Sequence, residues 1–290
     1  MTLLASAIKK AAITGAMVTL CGACASAPQD QTHQTASQPT SSDVSSTIEL
    51  PPARAVLDYQ LGAAYAPPAD VTLVTRDSTE DPAPNTYNIC YVNGFQTQPQ
   101  ERDRWLNERK NLLLADSNGN PVIDSEWPDE FLLDTSTPDK RTRLADITDE
   151  AIRQCARRGF KAVDVDNLDS YSRSGGRLTI DHNLAYATLL TQRAHGLGLA
   201  IGQKNSAEAS ARARGEVGFD FAVTEECHRY TECSSYSGVY GGHVMDVEYT
   251  DNLRGTFAEV CRDSDRPATT TLRDRKLVAP TNGAYVFQHC

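Results

Sequence analysis

Short apolar and β-branched runs recur along the chain, and each closes on polar or charged residues. They span residues 56–60, 71–77, 87–93, 131–134, 162–166, 199–204, 221–225 and 244–249. Runs of this length and composition predict eight strands. Helical periods lie between several of them. Thr137 can cap, Pro138 can take the first turn, and Leu144, Ile147, Ala151 and Cys155 fall on one stripe,. A second stripe runs through Leu184, Ala187, Thr191 and Ala194. Strands alternating with helices imply a parallel sheet with right-handed crossovers. Eight of them between residues 51 and 290 predict an α/β chain closed into a (β/α)8 TIM-type barrel. Residues 63–70 and 78–86 are too short for full helices, and residues 112–123 read as a hairpin turning at Asn118-Gly119. The barrel is therefore expected to be irregular in its first half, with an extra C-terminal strand. An open doubly wound sheet is the rival, but no Gly-x-Gly-x-x-Gly turn follows any strand.

The 290 residues carry a formal net charge of −10 and are 40% hydrophobic, the balance of a folded protein,. No apolar run reaches the roughly 18 to 20 residues of a spanning helix. An acidic chain with no basic run also argues against nucleic acid as a partner. The start of the chain combines Lys9 and Lys10 with the apolar residues 11–20 and no acid, which predicts an export signal over residues 1–23,. Gly22-Ala23-Cys24 resembles a lipoprotein cleavage box. It would make Cys24 the lipidated first residue and anchor the protein to a membrane at the cell envelope; a cut after Ala27 would instead release a secreted protein. Without residues 1–23, 26 basic residues face 38 acidic ones and the net charge becomes −12. Residues 24–50, rich in Gln, Thr and Ser, are expected to form a disordered tether. Residues 51–290 then form one barrel domain, expected to be a monomer.

Either cut leaves Cys90, Cys155, Cys227, Cys233, Cys261 and Cys290. In an exported chain an even set reads as three disulfides before it reads as metal ligands. Six cysteines allow fifteen connectivities. The simplest staples Cys227 to Cys233, pins Cys290 to Cys261, and leaves Cys90 with Cys155.

Strand alternation puts Asp164 and Asp166 on one face, and Phe221, Val223 and Glu225 on another shared face. In a barrel both faces point inward, so two strands deliver carboxylates to one rim, where this fold places its active site. Paired carboxylates can cleave a sugar bond, one protonating the leaving oxygen and the other acting as nucleophile or base. Sugars also need stacking rings and planar hydrogen-bonding groups. Tyr59, Gln60, Tyr91, Asn167, Tyr171, Gln203, Lys204, Asn205 and Tyr249 all fall at or near strand ends. The competing structural reading pairs the strand-end acids with Arg76, Arg173 or Arg273, or makes them helix caps. Other chemistries fit less well. Asp164-Val-Asp-Asn-Leu-Asp169 places Leu168 where a calcium loop needs a ligand, and Asp116-Ser-Asn-Gly-Asn120 reads as a polar turn. His228 beside Cys227 lacks a spaced His/Cys set, and His182 and His195 read as helix-end or surface residues. No Gly-x-Ser-x-Gly elbow exists. Neither a metal nor a cofactor is called for.

Asp58-Tyr-Gln-Leu-Gly62, Tyr87-Asn-Ile-Cys-Tyr91, Phe131-Leu-Leu-Asp-Thr-Ser136, Gly159-Phe-Lys-Ala-Val-Asp-Val-Asp-Asn-Leu-Asp-Ser-Tyr171, Gly202-Gln-Lys-Asn205, Glu225-Glu-Cys227, Glu232-Cys233 and Glu248-Tyr249 together resemble glycoside hydrolase family 114, the endo-α-1,4-polygalactosaminidase-like barrels. The resemblance covers nearly all of residues 54–290. It implies internal cleavage of an α-1,4-linked, galactosamine-rich exopolysaccharide. It also implies a catalytic pair of Asp166, from the Asp-Asn motif, and Glu225, from the Glu-x-Cys motif. The family pattern commonly has Glu-Pro before Asp-Asn; here the pair is Asp164-Val165, which bears on fine specificity. The expected mechanism is retaining, with Asp166 as nucleophile and Glu225 as acid/base, although the roles could be exchanged. Asp77, Asp134, Asp164 and Glu248 would form an acidic binding shell for cationic amino groups, which suits the net charge. Two further readings remain: a non-catalytic sugar-binding lipoprotein using the same barrel mouth, and a hydrolase of another α-linked glycan.

Overall fold

In the computed structural model, residues 47–290 are described, Glu126 excepted. The expected export signal, Cys24 and the tether up to residue 46 lie outside the described residues. Eight parallel strands follow one another around the sheet in chain order. They are β1 (Leu57–Gln60), β2 (Leu73–Asp77), β3 (Tyr87–Asn93), β4 (Ala162–Asp166), β5 (Ala200–Lys204), β6 (Phe221–Glu225), β7 (Val244–Tyr249) and β8 (Thr269–Arg273). A ninth, β9 (Phe287–His289), pairs antiparallel with β8. The α-helices are α1 (Arg102–Glu108), α2 (Pro138–Arg158), α3 (Ile180–Gly196), α4 (Ser210–Arg212), α5 (Cys227–Tyr230), α6 (Cys233–Tyr240) and α7 (Phe257–Val260).

The alternation of each strand splits the apolar residues into two cores. Leu57, Tyr59, Leu73, Ile89, Ala162, Phe221, Val223, Met245 and Val247 fill the barrel interior. Val163, Val165, Ile201 and Ala222 point outward against Leu144, Ile152, Leu184 and Leu190 of the long helices. Gly202 is required by the interior packing. A Cβ there would lie 2.4 Å from the ring of Phe221, so the missing side chain of β5 is the space that β6 fills. Helix α2 starts as its sequence predicts, with Thr137 accepting from the Lys140 N–H, and it stops at Gly159, whose φ of 93° only glycine adopts freely,.

Between β1 and β8 the barrel is joined through side chains. Arg273 and Asp58, both fully buried, form an ion pair at 2.8 Å across the seam, and the Ala55 N–H donates to Thr269 Oγ1 at 3.0 Å. Strand β9 lies along β8, and the Cys261–Cys290 disulfide fastens the end of the chain. The other two disulfides are Cys90–Cys155, joining β3 to α2, and Cys227–Cys233, between α5 and α6. The simplest of the fifteen connectivities is the one formed.

The count of eight parallel strands holds, but one member differs. Residues 131–134 are not a barrel strand. They make isolated bridges with Gln96, Leu113 and Ile123 in the long excursion between β3 and α2. There Phe131 and Leu133 pack against Trp105 of α1, and Leu132 against Leu114 and Leu178. The eighth strand is instead Thr269–Arg273, whose three threonines give no apolar alternation to read. The hairpin falls where expected, with Asp116 and Asn120 closing a turn that carries Gly119 at φ 81°.

Candidate active site

The C-terminal ends of the strands open into a cleft of about 1670 Å3. At its floor Lys204, from β5, lies between two carboxylates. Its Nζ is 3.1 Å from Asp166 Oδ1 of β4 and 3.1 Å from Glu225 Oε2 of β6. Those two oxygens can therefore be no farther apart than twice that distance. Lys204 is almost fully buried, with 2% of its side chain exposed, against 18% for Asp166 and 29% for Glu225. The acids thus face the cleft and the cation sits behind them.

Two tyrosines complete the pair. Tyr91 donates to Asp166 Oδ2 at 2.7 Å, and Tyr249 donates to Glu225 Oε1 at 2.5 Å. Burial, followed by the adjacent carboxylate charges, pushes both phenols well above their ordinary pKa, so they remain hydroxyl donors,. Asp166 also accepts from the Asn167 N–H at 2.8 Å. Burial raises its pKa, but the Lys204 ammonium, the Tyr91 hydroxyl and the Asn167 N–H outweigh that and hold it below the usual carboxylate range. Lys204 shows the mirror effect: burial lowers its pKa, and the charges of Asp166, Glu225 and Asp164 carry it well above that of a free lysine. Asp164 lies one inward position deeper on β4 and is fully buried. Burial and the charges of Asp166 and Glu225, against the attraction of Lys204, push its carboxyl up to about 8, so it is protonated at neutral pH.

Sharp turns immediately after three successive strands orient these groups. Asn167, Asn205 and Glu226 follow β4, β5 and β6 with φ of 68°, 49° and 65°. Asparagine tolerates this left-handed region better than most residues. Asn205 uses its turn to accept from the Glu225 N–H at 2.8 Å, and its Nδ2 lies 3.4 Å from Glu225 Oε2. Glu226 is anchored by Arg275, which also stacks 4.1 Å over the ring of Tyr249.

Of the residues singled out from the sequence, Asp166, Glu225, Lys204, Tyr91, Asn167, Asn205, Tyr249, Asp77 and Gln60 line the cleft. Gln60 is only 1% exposed, its amide engaged by Asp58 and Arg76. Tyr59 and Asp164 lie in the barrel interior beneath the pair, with Lys204 Nζ 5.8 Å from the centre of the Tyr59 ring. Four residues expected at the binding surface lie off the cleft. Glu248 precedes an inward tyrosine and so faces outward, where Oε1 accepts from the His228 N–H at 2.9 Å. Gln203 likewise precedes Lys204, and it bonds the loop carbonyls of Asn205 and Ser206 and the Tyr240 hydroxyl. Asp134 caps the approach to α2 through Ser136 and Lys140. Tyr171 packs with Leu114 and Leu178, and its hydroxyl meets Glu208. Adjacent strand residues cannot both face a barrel lumen, so reading both Gln203 and Lys204, or both Glu248 and Tyr249, as cleft groups overstated the site.

Sequence reasoning missed Asn93, Trp127, Glu130 and Arg275 in the cleft wall. Asn93 could have been found, being the last residue of a predicted strand. The arginines named as competing partners do not hold the pair. Arg76 binds Gln60 and backbone carbonyls, Arg173 binds Asp124 and Asp169, and Arg273 binds Asp58. Cys227, Cys233 and Asp246 converge as metal ligands might, but both sulfurs are joined in a disulfide.

A sequence model of glycoside hydrolase family GH114 matches residues 36–290. Among solved structures, that of Aspergillus fumigatus Ega3 in complex with galactosamine is similar, with a TM-score of 0.67 and 20% identity, covering 84% of this chain and 98% of that one. The glycoside hydrolase domain of PelA from Pseudomonas aeruginosa is also similar, with a TM-score of 0.54 and 13% identity over 80% of this chain and 97% of that one. No curated protein sequence matches the chain.

Proposed function

The chain belongs to glycoside hydrolase family 114, and from that premise we propose that it cleaves an α-1,4-linked, galactosamine-rich polysaccharide internally and with retention of configuration. The observation that carries this reading is the Asp166–Lys204–Glu225 arrangement at the floor of an open acidic cleft. In the first step Asp166 attacks the anomeric carbon while Glu225 gives its proton to the leaving oxygen, breaking the glycosidic bond. Glu225 then takes a proton from water, whose oxygen attacks the same carbon and releases Asp166. The one pair of oxygens that faces Lys204, at most twice 3.1 Å apart, is compatible with the roughly 5 to 5.5 Å of a retaining pair,. Lys204 keeps the nucleophile ionised without reaching the solvent itself.

Two further features support an amino-sugar polymer. The cleft exceeds the roughly 300 to 1,000 Å3 of a site for one small ligand,, which leaves room for several sugar rings. Eleven acidic and six basic residues line it, and Lys204, Arg104, Arg173 and Arg275 are already paired with acids. The excess negative charge suits a polycation. The same reading places the protein outside the cytoplasm, where its three disulfides would persist, with Cys24 as the site of a lipid anchor. The test is to incubate the purified protein with partly deacetylated α-1,4-galactosaminan. New reducing ends with an early fall in chain length, and α-anomers as first products by NMR, are expected. No new reducing ends, or β-anomers first, would overturn the hydrolytic or the retaining part respectively.

A further inference from the structure

The excursion between β3 and α2 brings one tight turn into the cleft wall. The Glu130 N–H donates to the Trp127 carbonyl at 2.9 Å, with Pro128 at the second position, where its fixed φ suits such a turn. The turn is held from behind. The Asp124 N–H donates to the Glu130 carbonyl at 3.0 Å, and the buried Asp124 carboxylate receives Gln96 Nε2 and Arg173 Nε, each at 2.6 Å. Both ends of the turn line the cleft. Trp127 is 58% exposed, one of few large apolar side chains exposed among the described residues. Glu130 is half-buried, and its Oε2 accepts from Asn93 Nδ2 at 2.8 Å. Asn93 Oδ1 in turn accepts from Asn167 Nδ2 at 2.9 Å, and the Asn167 N–H donates to Asp166. Three hydrogen bonds and one residue's backbone thus connect Glu130 to the nucleophile of the proposed reaction. Oε1 of Glu130 makes no hydrogen bond among the described residues.

We propose that the Trp127–Glu130 turn is a specificity-determining subsite, in which the indole face carries a sugar ring next to the cleaved bond and the Glu130 carboxylate binds that ring's ammonium group. The proposal rests on the glycosidase reading above and deepens it by naming what distinguishes an amine from an acetamide. An aromatic face and a fixed anion suit a ring bearing one positive substituent. A half-buried carboxylate gains a charge-assisted bond from an ammonium group. Opposite a neutral acetamide it is left facing no cation. The charged groups around Glu130 are Asp166 of β4, Asp124 of its own excursion, and Arg173. Burial raises its carboxyl, the Asn93 bond lowers it, Asp166 and Asp124 raise it, and Arg173 lowers it, leaving it at about 7. Glu130 ionises through about pH 7, and the amine of an amino sugar loses its proton in the same neutral region, so amine preference should be greatest near neutrality and fall to either side.

The test compares wild type, Glu130→Gln, Glu130→Asp and Trp127→Ala on fully deacetylated and fully N-acetylated α-1,4-galactosaminan, with thermal melts to establish folding. The expected result is a fall of roughly 10- to 100-fold in the amine-over-acetamide ratio of kcat/KM for Glu130→Gln, and partial recovery in Glu130→Asp. Trp127→Ala should raise KM on both polymers. The wild-type ratio should pass through a maximum near neutral pH, and the Glu130→Gln ratio should show no rise on the acid side of it. A folded Glu130→Gln variant with the wild-type ratio overturns the proposal. Calorimetric binding of galactosamine and N-acetylgalactosamine oligomers separates the two readings. A Glu130-dependent amine preference without any cleavage overturns only the hydrolase reading, and cleavage with a Glu130-independent preference overturns only this one.

Discussion

Replacing Lys204 by methionine tests the central arrangement. At 3.1 Å and an effective dielectric of about 20, the attraction between Lys204 and the Asp166 carboxylate is about 5 kcal/mol,. At about 1.36 kcal/mol per pKa unit, losing it would raise Asp166 by up to roughly 4 units. Solvent reaching the partly exposed carboxylates, together with the retained bonds from Tyr91 and Asn167, cuts this to about 2 units. The sign follows from the proposed mechanism. In the proposed reaction Asp166 attacks as the anion, and its native pKa lies below the ordinary range, so wild-type activity is expected to persist at low pH. Raising that pKa moves the acid limb of the kcat/KM profile upward. The assay is release of reducing ends against pH for wild type, Lys204→Met and Lys204→Arg. An acid limb displaced by about two units in Lys204→Met, and by less in Lys204→Arg, is expected. A uniform fall in rate with the limb unmoved would mean that Lys204 only fills space, and wild-type kinetics would refute the electrostatic reasoning outright.

Three further outcomes follow from the geometry. Asp166→Asn and Glu225→Gln should each lower kcat by at least roughly 10²- to 10⁴-fold while polymer binding persists in calorimetry; equal loss of binding would indicate misfolding instead. Asp164 keeps a proton in the folded protein up to about pH 8, whereas the unfolded chain loses it near pH 4. Stability contributed at this position therefore falls as pH rises through that window, and Asp164→Asn should stabilise the protein by up to roughly 4 kcal/mol at pH 7 and by less at pH 5, measured by urea unfolding at both. Removing the Cys90–Cys155 disulfide, which closes the longest loop at a separation of 65 residues, should cost about 4 kcal/mol in the chain-entropy account. Calorimetry should then show a larger drop in melting temperature than for Cys227→Ala with Cys233→Ala, whose separation is 6.

Much of the fold was legible because its signals are local. The stripe from Leu144 to Cys155 and the cap at Thr137 lie within one helix, and the six cysteines pair with near neighbours or by elimination. The errors share a cause. Residues 131–134 carry the apolar residues of a strand, but they bury them against Trp105 and Leu114 rather than in the barrel. Thr269–Arg273 reads as polar because its environment supplies what its side chains lack. Thr271 Oγ1 donates to the Gln288 carbonyl, and Arg273 is neutralised by Asp58 from the far end of the sequence. Burial of polar groups by long-range partners leaves no trace in a local window.

The site divides in the same way. Asp166, Glu225, Lys204 and Tyr249 share the inward phase of their strands, and period-two reasoning finds them without knowledge of the turns. That reasoning gives no depth along a strand, so Asp164 and Asp166 look equivalent. One residue pair of rise separates a carboxyl held ionised beside Lys204 from one left protonated in the barrel interior. The wall of the cleft follows no period at all. Glu130 comes from an irregular excursion and meets Asn93 across 37 residues of sequence. The inward groups of the strands were therefore readable from spacing, whereas a wall built from the excursion depends on how far each loop reaches over the barrel mouth. Variation among barrels of this kind should accordingly concentrate in residues like Trp127 and Glu130, with the Asp166–Lys204–Glu225 row left unchanged.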